Sequence, residues 1–304
     1  MRVAVHRSVA PVFPPERLAA ALEGRGLGAD VTDDPAGAGF DCVVAFEHDD
    51  AFFECPWVHA ITAGYDDYPV DRYRKRGVTF TNSTGIHGAT VGETVAGACL
   101  SFARRLHRYR DRQRERRWDR EPYDAAFTVA GERACVVGLG SIGRGAATRL
   151  DALGADVVGV RRTPASAPGV REVYTPDALR DAIRDARFVA LAVPLTDDTR
   201  GLIGEDELAA MRADAYLINV ARGAVVDQDA LIDALEDGEI AGAALDVFEA
   251  EPLPEDSRLW DREDVILTPH VSGLSNRYHA GVADLVATSA DRIERGETPV
   301  NEVV

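Results

Sequence analysis

The chain has 304 residues, of which 46 % are hydrophobic, and this length and composition suit about two domains with buried cores. Its formal charge of −17, from 34 basic and 51 acidic side chains, disfavours nucleic-acid phosphates and anionic membranes as partners. No apolar run reaches the roughly 18 residues of a membrane span, and four scattered cysteines without a CxxC pair argue against a zinc site or a disulfide framework.

Residues 1–83 alternate short apolar runs with polar turns that carry Gly or Pro. RVAVHR, CVVAFE, VHAIT and VTFTN predict strands, and LAAALEG predicts an intervening helix. The N-terminal MRVAVHR is therefore interpreted as a strand and not as a signal peptide. This alternation is typical of a small α/β unit with a parallel sheet.

From Thr90 the pattern VGETVAGACLSFARRLHRYR predicts a long helix, which leads into an arginine-rich segment. Nine arginines lie between Arg104 and Arg120. Acidic residues are interleaved with them, namely Asp111, Glu115, Asp119 and Glu121. Mixed charges of this kind indicate a solvated helix or an exposed arm, not a nucleic-acid surface.

From Ala134 onwards the alternation of strands and helices is stronger. ACVVG, ADVVGV, RFVALAV, AYLINV, AGAALDVF and VILTP predict strands, and AATRLDALG, PDALRDAIRDA and DALIDALEDG predict helices. This is the pattern of a doubly wound parallel sheet. The stretch SNRYHAGVADLVATSADRIERG near the C-terminus predicts one amphipathic helix.

A glycine-rich turn follows the first of these strands in ACVVGLGSIG. Gly138 would make the tight turn, Gly140 would let the backbone approach a pyrophosphate, and Gly143 would let helix and strand pack closely. Ser141 and Ile142 complete the turn at the start of the helix, whose amides favour phosphates. The five residues are predicted to bind a dinucleotide; the alternative is a tight turn without a ligand.

The end of the next strand, VVGVRRTP, distinguishes between the two nicotinamide cofactors. An NAD enzyme usually carries Asp or Glu there for the ribose 2′-hydroxyl. This chain has Arg161, Arg162 and Thr163, and a guanidinium can bind a 2′-phosphate bidentately. NADP(H) is therefore predicted, with NAD(H) used weakly; the alternative is that both arginines only balance an acidic surface.

Five motifs in order, GLGSIG, VPLTDDTRGLI, NVARGAVVD, ALDVFEAEPLP and TPHVSG, closely resemble the D-isomer-specific 2-hydroxyacid dehydrogenase family over roughly residues 60 to 285. The resemblance implies an α/β fold of two doubly wound parallel-sheet domains. A Rossmann cofactor domain (85–278), with a dimerisation helix and arm, would be inserted into a smaller flavodoxin-like substrate domain (1–84 plus 279–304). Two chain crossings imply a hinge.

By this resemblance the catalytic residues are Arg222, Glu251 and His270. His270 would protonate the developing alkoxide during carbonyl reduction. Glu251 would favour the imidazolium form and orient the ring. Arg222 would bind the substrate carboxylate and polarise the C2 oxygen. Glu249 is a nearby alternative, set aside because the family's glutamate directly precedes a proline.

The resemblance also implies further cofactor contacts. Asp246 would lie near the nicotinamide carboxamide, Pro194 and Thr199 would line the adenosine side, and Ala221 and Gly273 would line the nicotinamide side. The alternative for Asp246 is a strand-end residue whose carboxylate is satisfied by the backbone.

In the first half, ITAGYD resembles the family's loop whose backbone amides hold the substrate carboxylate. This assigns substrate binding to Ala63 and Gly64; the alternative is an ordinary turn after a strand. Two interpretations stay open for the aromatic residues Phe46, Phe52 and Phe53. They would either form an apolar pocket for the substrate side chain or belong to the core.

The leading hypothesis is an NADP(H)-preferring oxidoreductase that interconverts a small 2-oxo acid and its D-2-hydroxy acid, as a cytoplasmic homodimer without a metal. One alternative is a phosphoglycerate or glyoxylate-type dehydrogenase of the same family. Another is a non-catalytic, nucleotide-sensing dimer of the corepressor kind.

Strong acidity, with Lys75 as the only lysine, indicates a halophilic protein. At about 1 M salt the Debye length falls to roughly 3 Å, so neighbouring carboxylates repel one another little. The alternative is an ordinary acidic protein from a genome that favours arginine.

Overall fold

The computed structural model describes all residues, 1–304, and the chain divides into two compact units. The first unit comprises Met1–His87 and Leu274–Val304, and the second comprises Gly88–Gly273. The boundaries expected from the sequence were 84/85 and 278/279. In the structure, Tyr278 belongs to the hydrophobic core of the first unit and the half-buried Ile86 packs against that core.

The first unit contains a five-stranded parallel sheet in the order β2-β1-β3-β4-β5. Its strands are β1 (Arg2–His6), β2 (Gly28–Thr32), β3 (Cys42–Ala45), β4 (Trp57–Ala60) and β5 (Thr79–Asn82). Its helices are α1 (Pro15–Glu23), α2 (Val70–Arg76) and α9 (Tyr278–Glu294). The strand order is that of flavodoxin-like folds, and it brings the loops after β3 and β4 to one edge of the sheet.

Burial explains which of these elements the sequence reveals. All residues of β3 and β4 are buried, as expected for inner strands of a parallel sheet. By contrast, β2 at the sheet edge has no fully buried residue, and α2 buries only Tyr73. These two elements therefore lack a clear apolar pattern, and the sequence did not predict them.

The second unit is built on a seven-stranded parallel sheet in the order β12-β11-β10-β9-β6-β7-β8. Its strands are β6 (Arg133–Val137), β7 (Asp156–Val160), β8 (Glu172–Tyr174), β9 (Phe188–Leu191), β10 (Tyr216–Asn219), β11 (Gly242–Leu245) and β12 (Val265–Leu267). Its helices are α3 (Gly88–Ala103), α4 (Leu106–Arg114), α5 (Ser141–Ala152), α6 (Leu179–Arg184), α7 (Glu205–Ala210) and α8 (Gln228–Glu236). The strand order is that of dinucleotide-binding sheets with one added strand. The predicted fold class, two doubly wound α/β domains, is confirmed.

The single long helix predicted from Thr90 is wrong in one respect. Helix α3 ends at Ala103, Arg105 adopts a left-handed backbone conformation with φ 57°, and α4 starts anew. A pattern compatible with a helix continues through Arg105, so the sequence does not indicate the break. Helix α4 has no buried residue and leads into the exposed arm.

Two short elements of the second unit, β8 and α7, were also absent from the sequence prediction. No helix of the chain has the length and apolarity needed to cross a membrane. All four cysteines are free thiols with buried side chains.

Candidate active site

The glycine-rich turn joins β6 to α5 in the second unit. A Cβ on Gly138 would lie 2.4 Å from the carbonyl oxygen of Ala192, and one on Gly143 would lie 1.7 Å from that of Gly138. A Cβ on Gly140 would meet no protein atom within 4 Å. The turn itself thus requires Gly138 and Gly143, whereas Gly140 leaves open space at the N-terminus of α5. This space fits a pyrophosphate approaching the helix amides.

Ser141 and Ile142 form the first turn of α5, directly after Gly140. Both side chains are half-buried. Their position at the helix N-terminus agrees with the predicted contact to a dinucleotide.

Two guanidinium groups without an ion-pair partner follow β7, the neighbour of β6. The amide of Arg161 donates to the carbonyl of Tyr174 at 3.0 Å, which fixes the backbone, and Arg162 and Thr163 are exposed. At the other end of β7, Asp156 pairs with two other arginines. Positive charge at the carboxyl end of β7 therefore stays available to a ligand.

The loop after β9 carries Pro194 and Thr199. The Thr199 hydroxyl donates to the carbonyl of Pro194 at 2.6 Å and accepts from the amide of Thr196 at 2.8 Å. These bonds close the loop into a compact turn. Because β9 pairs with β6 in the sheet, this loop and the glycine-rich turn follow neighbouring strands.

The buried Asn219 shapes the loop after β10, and the sequence reasoning did not single it out. Its Oδ1 accepts from the amide of Ala221 at 3.0 Å, and its Nδ2 donates to the carbonyl of Arg222 at 3.0 Å. The Arg222 guanidinium in turn donates to the carbonyl of Ala221 at 2.8 Å. The asparagine in NVARG was the available signal.

His270 and Glu251 form a hydrogen-bonded pair. Nδ1 of His270 lies 2.8 Å from Oε2 of Glu251, while Oε1 accepts from the amide of Phe248 at 3.0 Å. Because Nδ1 faces the carboxylate, the partly exposed ring presents Nε2 as its free nitrogen. Glu249 is exposed and makes no such contact.

A buried carboxylate holds the turn that carries His270. Oδ1 of Asp246 accepts from the Thr268 hydroxyl at 2.6 Å and from the Val271 amide at 2.9 Å, and Oδ2 accepts from the Ser272 amide at 2.9 Å. The carbonyl of Asp246 accepts from the amide of His270, again at 2.9 Å. His270 has a φ of 53°, a conformation that few residues other than glycine adopt.

Asp246 is only 2 % exposed, so its carboxylate serves chiefly its own chain. This matches the alternative interpretation of a strand-end residue satisfied by neighbouring groups. Contact with a nicotinamide carboxamide stays a prediction for this residue.

The turn after β12 ends at Gly273, whose carbonyl accepts from the Thr90 hydroxyl at 3.4 Å. A cavity of about 510 Å³ opens beside the His270–Glu251 pair. Its apolar walls include Phe248, Leu253 and Trp260. No cluster of three or more His, Cys, Asp or Glu side chains is placed to hold a metal ion.

In the first unit, the loop after β4 presents unpaired backbone donors. The amides of Thr62, Ala63 and Gly64 have no hydrogen-bond acceptor in the protein, while all four carbonyls of Ile61–Gly64 accept a bond. Successive backbone N–H groups without an acceptor are suitable donors to an anion such as a carboxylate. Their position agrees with the predicted role of Ala63 and Gly64.

The three phenylalanines after β3 comprise one buried and two half-buried side chains. Phe52 is 0 % exposed and belongs to the core, so the pocket interpretation is wrong for it. Phe53 packs under the guanidinium groups of Arg72 and Arg76, both 4.5 Å from the ring centre. Phe46 is half-buried and packs against the core cluster that contains Val5 and Val44.

Two buried histidines of the first unit are held in the neutral form. Burial lowers the pKa of His59 to about 3 and that of His87 to about 4. Since the charged form is disfavoured in both, they serve as hydrogen-bonding groups and not as proton carriers near neutral pH.

Comparison with known proteins agrees with this arrangement. The profile of the D-isomer specific 2-hydroxyacid dehydrogenase NAD binding domain matches residues 96–272. A glyoxylate reductase from Korarchaeum cryptofilum is 36 % identical over 247 residues, which are 79 % of this chain and 73 % of that protein.

Solved structures extend the similarity to the whole chain. A D-isomer specific 2-hydroxyacid dehydrogenase from Xanthobacter autotrophicus, in complex with NADPH and MES, is 32 % identical with a TM-score of 0.82, covering 99 % of this chain and 98 % of that one. An NADPH-dependent glyoxylate/hydroxypyruvate reductase from Sinorhizobium meliloti, in complex with NADP and sulfate, is 27 % identical with a TM-score of 0.84 over the same shares. The glycine-rich turn and the loops after β10, β11 and β12 all lie within the part of the chain that these structures match.

Proposed function

The chain belongs to the D-isomer-specific 2-hydroxyacid dehydrogenase family, and on that basis we propose that it reduces a small 2-oxo acid to the D-2-hydroxy acid with NADPH as the preferred cofactor. That the protein is an oxidoreductase transferring hydride between a nicotinamide cofactor and a 2-oxo/2-hydroxy acid pair follows from the family itself. The cofactor preference and the residue roles are the proposal. The observation that carries it is the His270–Glu251 pair in the same unit as the glycine-rich turn.

The residues perform complementary steps. The nicotinamide, when bound, supplies the hydride for C2 of the substrate. His270 donates its Nε2 proton to the C2 oxygen as negative charge develops, which completes the hydroxyl group. Glu251 holds Nδ1 and balances the imidazolium. Arg222 binds the substrate carboxylate and polarises the C2 oxygen.

Besides Arg222, we assign substrate binding to the first unit, and we assign cofactor binding to the second. The free amides of Thr62–Gly64 would hold the substrate carboxylate, because backbone N–H groups donate hydrogen bonds to carboxylate oxygens and do not themselves ionise. Pro194 and Thr199 would line the adenosine, and Ala221 and Gly273 the nicotinamide.

The preference for NADP(H) rests on Arg161 and Arg162. In a chain with 51 acidic residues, two neighbouring guanidiniums without an ionic partner are available to a 2′-phosphate. The Xanthobacter and Sinorhizobium proteins, which were solved with NADPH and NADP, support the same choice.

A small substrate is favoured over a phosphorylated one. The segment after β3 carries Glu47 and Asp49, which would repel a phosphate near the edge of the sheet shared with the Thr62–Gly64 loop, whereas Asp50 is paired with Arg72. The Korarchaeum relative is a glyoxylate reductase. We therefore take glyoxylate and its short homologues as the substrate class.

We also propose a homodimer in which the second copy packs on the exposed arm. Trp118 and Tyr123 are 100 % and 102 % exposed, although the arm itself is anchored. Glu121 faces the guanidiniums of Arg105 and Arg112, and the exposed fractions of the three side chains are 8 %, 19 % and 16 %. An ordered arm that carries two fully solvent-exposed aromatic rings is typical of a surface that a partner protein covers. Sedimentation of the wild type and of the Trp118→Ser variant tests this assembly.

The acidic surface and the free buried thiols support work in a reducing, salt-rich cytoplasm. Salt at molar concentration would screen the repulsion between carboxylates. Activity is then expected to rise between low salt and about 1 M KCl. An optimum at low salt would contradict the halophilic assignment.

Oxidation of NADPH and of NADH with a panel of 2-oxo acids, followed at 340 nm in both salt conditions, tests the proposed function. We expect turnover with glyoxylate or a short homologue and faster turnover with NADPH. Absence of turnover with every acid and both cofactors would favour the nucleotide-sensing alternative.

A further inference from the structure

We propose that Tyr278 and Asn82 are positioning residues for the substrate: they fix the peptide groups of Ile61–Gly64 so that the free N–H groups of this loop face the substrate carboxylate. The inference rests on the proposed function of the loop. It adds two residues that lie far from the loop in sequence and that none of the motifs contains.

Every carbonyl of the loop is engaged from inside the first unit. The donors are the Tyr278 hydroxyl for Ile61 (2.8 Å), the Ser83 amide for Thr62 (2.9 Å), the Asn82 amide group for Ala63 (2.8 Å) and the Thr62 hydroxyl for Gly64 (2.7 Å). Two of the four bonds therefore come from side chains outside the loop.

The geometry of the peptide bond transmits this constraint to the amides. In a planar trans peptide, the carbonyl of one residue and the N–H of the next point in opposite directions. The bond from Tyr278 to the Ile61 carbonyl therefore directs the Thr62 N–H, and the bond from Asn82 to the Ala63 carbonyl directs the Gly64 N–H. The donors that hold the carbonyls thus turn the amides away from the interior.

Tyr278 is held so that its hydroxyl has one orientation. It lies at the start of α9, is 8 % exposed, and makes an edge contact with the ring of Phe13 at 5.5 Å between centroids. Since its single proton goes to the Ile61 carbonyl, the hydroxyl oxygen accepts from Nε2 of His87 at 2.9 Å. His87 is thereby assigned the tautomer with the proton on Nε2.

Asn82 is equally constrained at the end of β5. It is 3 % exposed, and while its Nδ2 donates to Ala63, its Oδ1 accepts from the amide of Thr84 at 3.1 Å. Its carbonyl accepts from Nδ2 of Asn301 at 3.2 Å. The amide group thus has no alternative orientation that keeps both bonds.

The Tyr278→Phe variant removes one hydroxyl and keeps the ring packing. We expect the KM for glyoxylate to rise about three- to tenfold, the effect of one lost hydrogen bond, with kcat and the KM for NADPH nearly unchanged. Asn82→Ala is expected to give the same pattern. The matched control is Tyr216→Phe, which removes a buried tyrosine hydroxyl bonded to Arg105 in the second unit.

Calorimetric titration of oxalate into the NADP⁺-saturated protein gives a readout without turnover. We expect oxalate to bind the wild type and to bind Tyr278→Phe more weakly by the same factor as the KM change. Wild-type turnover together with equal KM and oxalate affinity in Tyr278→Phe and Tyr216→Phe overturns the inference and leaves the proposed function intact. Absence of wild-type turnover overturns the proposed function, and absence of oxalate binding to the wild type overturns the inference.

Discussion

Two loops at the carboxyl ends of parallel strands use the backbone in opposite ways. In the turn after β12, the amides of His270, Val271 and Ser272 are all bound to Asp246, and the His270 side chain is what remains for chemistry. In Ile61–Gly64 the carbonyls are bound and the amides remain. One loop offers a side chain and the other offers its backbone. Substitutions should therefore matter at the reacting residue and at its support in the first loop, and only at the supporting residues in the second.

The largest expected effect tests the side-chain loop. His270→Ala removes the proton donor, and we expect kcat to fall about 100- to 10,000-fold, with the Kd for NADPH unchanged because Asp246, and not the His270 side chain, holds the turn. Stopped-flow oxidation of NADPH and NADPH fluorescence titration measure the two quantities. His279→Ala, a histidine on α9 outside the site, is the control; equal kcat in both variants would remove His270 from the mechanism.

The next effect tests the support of that loop. Asp246→Asn replaces an acceptor of three hydrogen bonds with a group that has one acceptor oxygen, so the turn should shift and kcat should fall about 100-fold. Asp264→Asn, which alters a carboxylate paired with Arg262, is the control. A rise in the Kd for NADPH with kcat unchanged would instead assign Asp246 to the nicotinamide carboxamide.

A smaller effect is expected at the cofactor-facing end of β7. Arg161→Asp places a negative charge where the 2′-phosphate would bind, and the ratio of kcat/KM for NADPH over NADH should fall about 10- to 100-fold. The exposed Arg110 on α4 provides the control variant Arg110→Asp. An unchanged ratio would mean that Arg161 only balances the acidic surface.

The smallest effect tests the backbone loop directly. Ala63→Ser changes the side chain but keeps the amide, and the KM for glyoxylate should change by less than about twofold. A large loss of affinity here, comparable to that of Tyr278→Phe, would show that the side chain and not the amide faces the substrate. The contrast between the two loops would then disappear.

The same contrast explains what the sequence reveals. Gly138, Gly143 and the His270–Glu251 pair lie in short motifs, because their chemistry depends on particular side chains, or on the lack of one, at fixed spacing. Tyr278 and Ile61 are 217 residues apart, and only the fold brings a tyrosine hydroxyl to a carbonyl. No local sequence pattern predicts such a long-range hydrogen bond.

Secondary structure follows a similar rule. The inner strands of both sheets are mostly apolar and buried and were predicted, whereas β2, α2, β8 and α7 are short elements with few fully buried residues and were not. The break at Arg105 was missed because helical patterning continues on both sides of it. Elements defined by burial are visible in sequence, and elements defined by tertiary contacts are not.

The proposed reaction is hydride transfer from NADPH to C2 of a small 2-oxo acid, giving the D-2-hydroxy acid. The most direct measurement incubates the protein with NADPH that carries deuterium at both C4 positions, together with pyruvate or glyoxylate, and analyses the product by mass spectrometry and chiral chromatography. We expect one deuterium at C2 and, from pyruvate, D-lactate. A product without deuterium, or L-lactate, would contradict it.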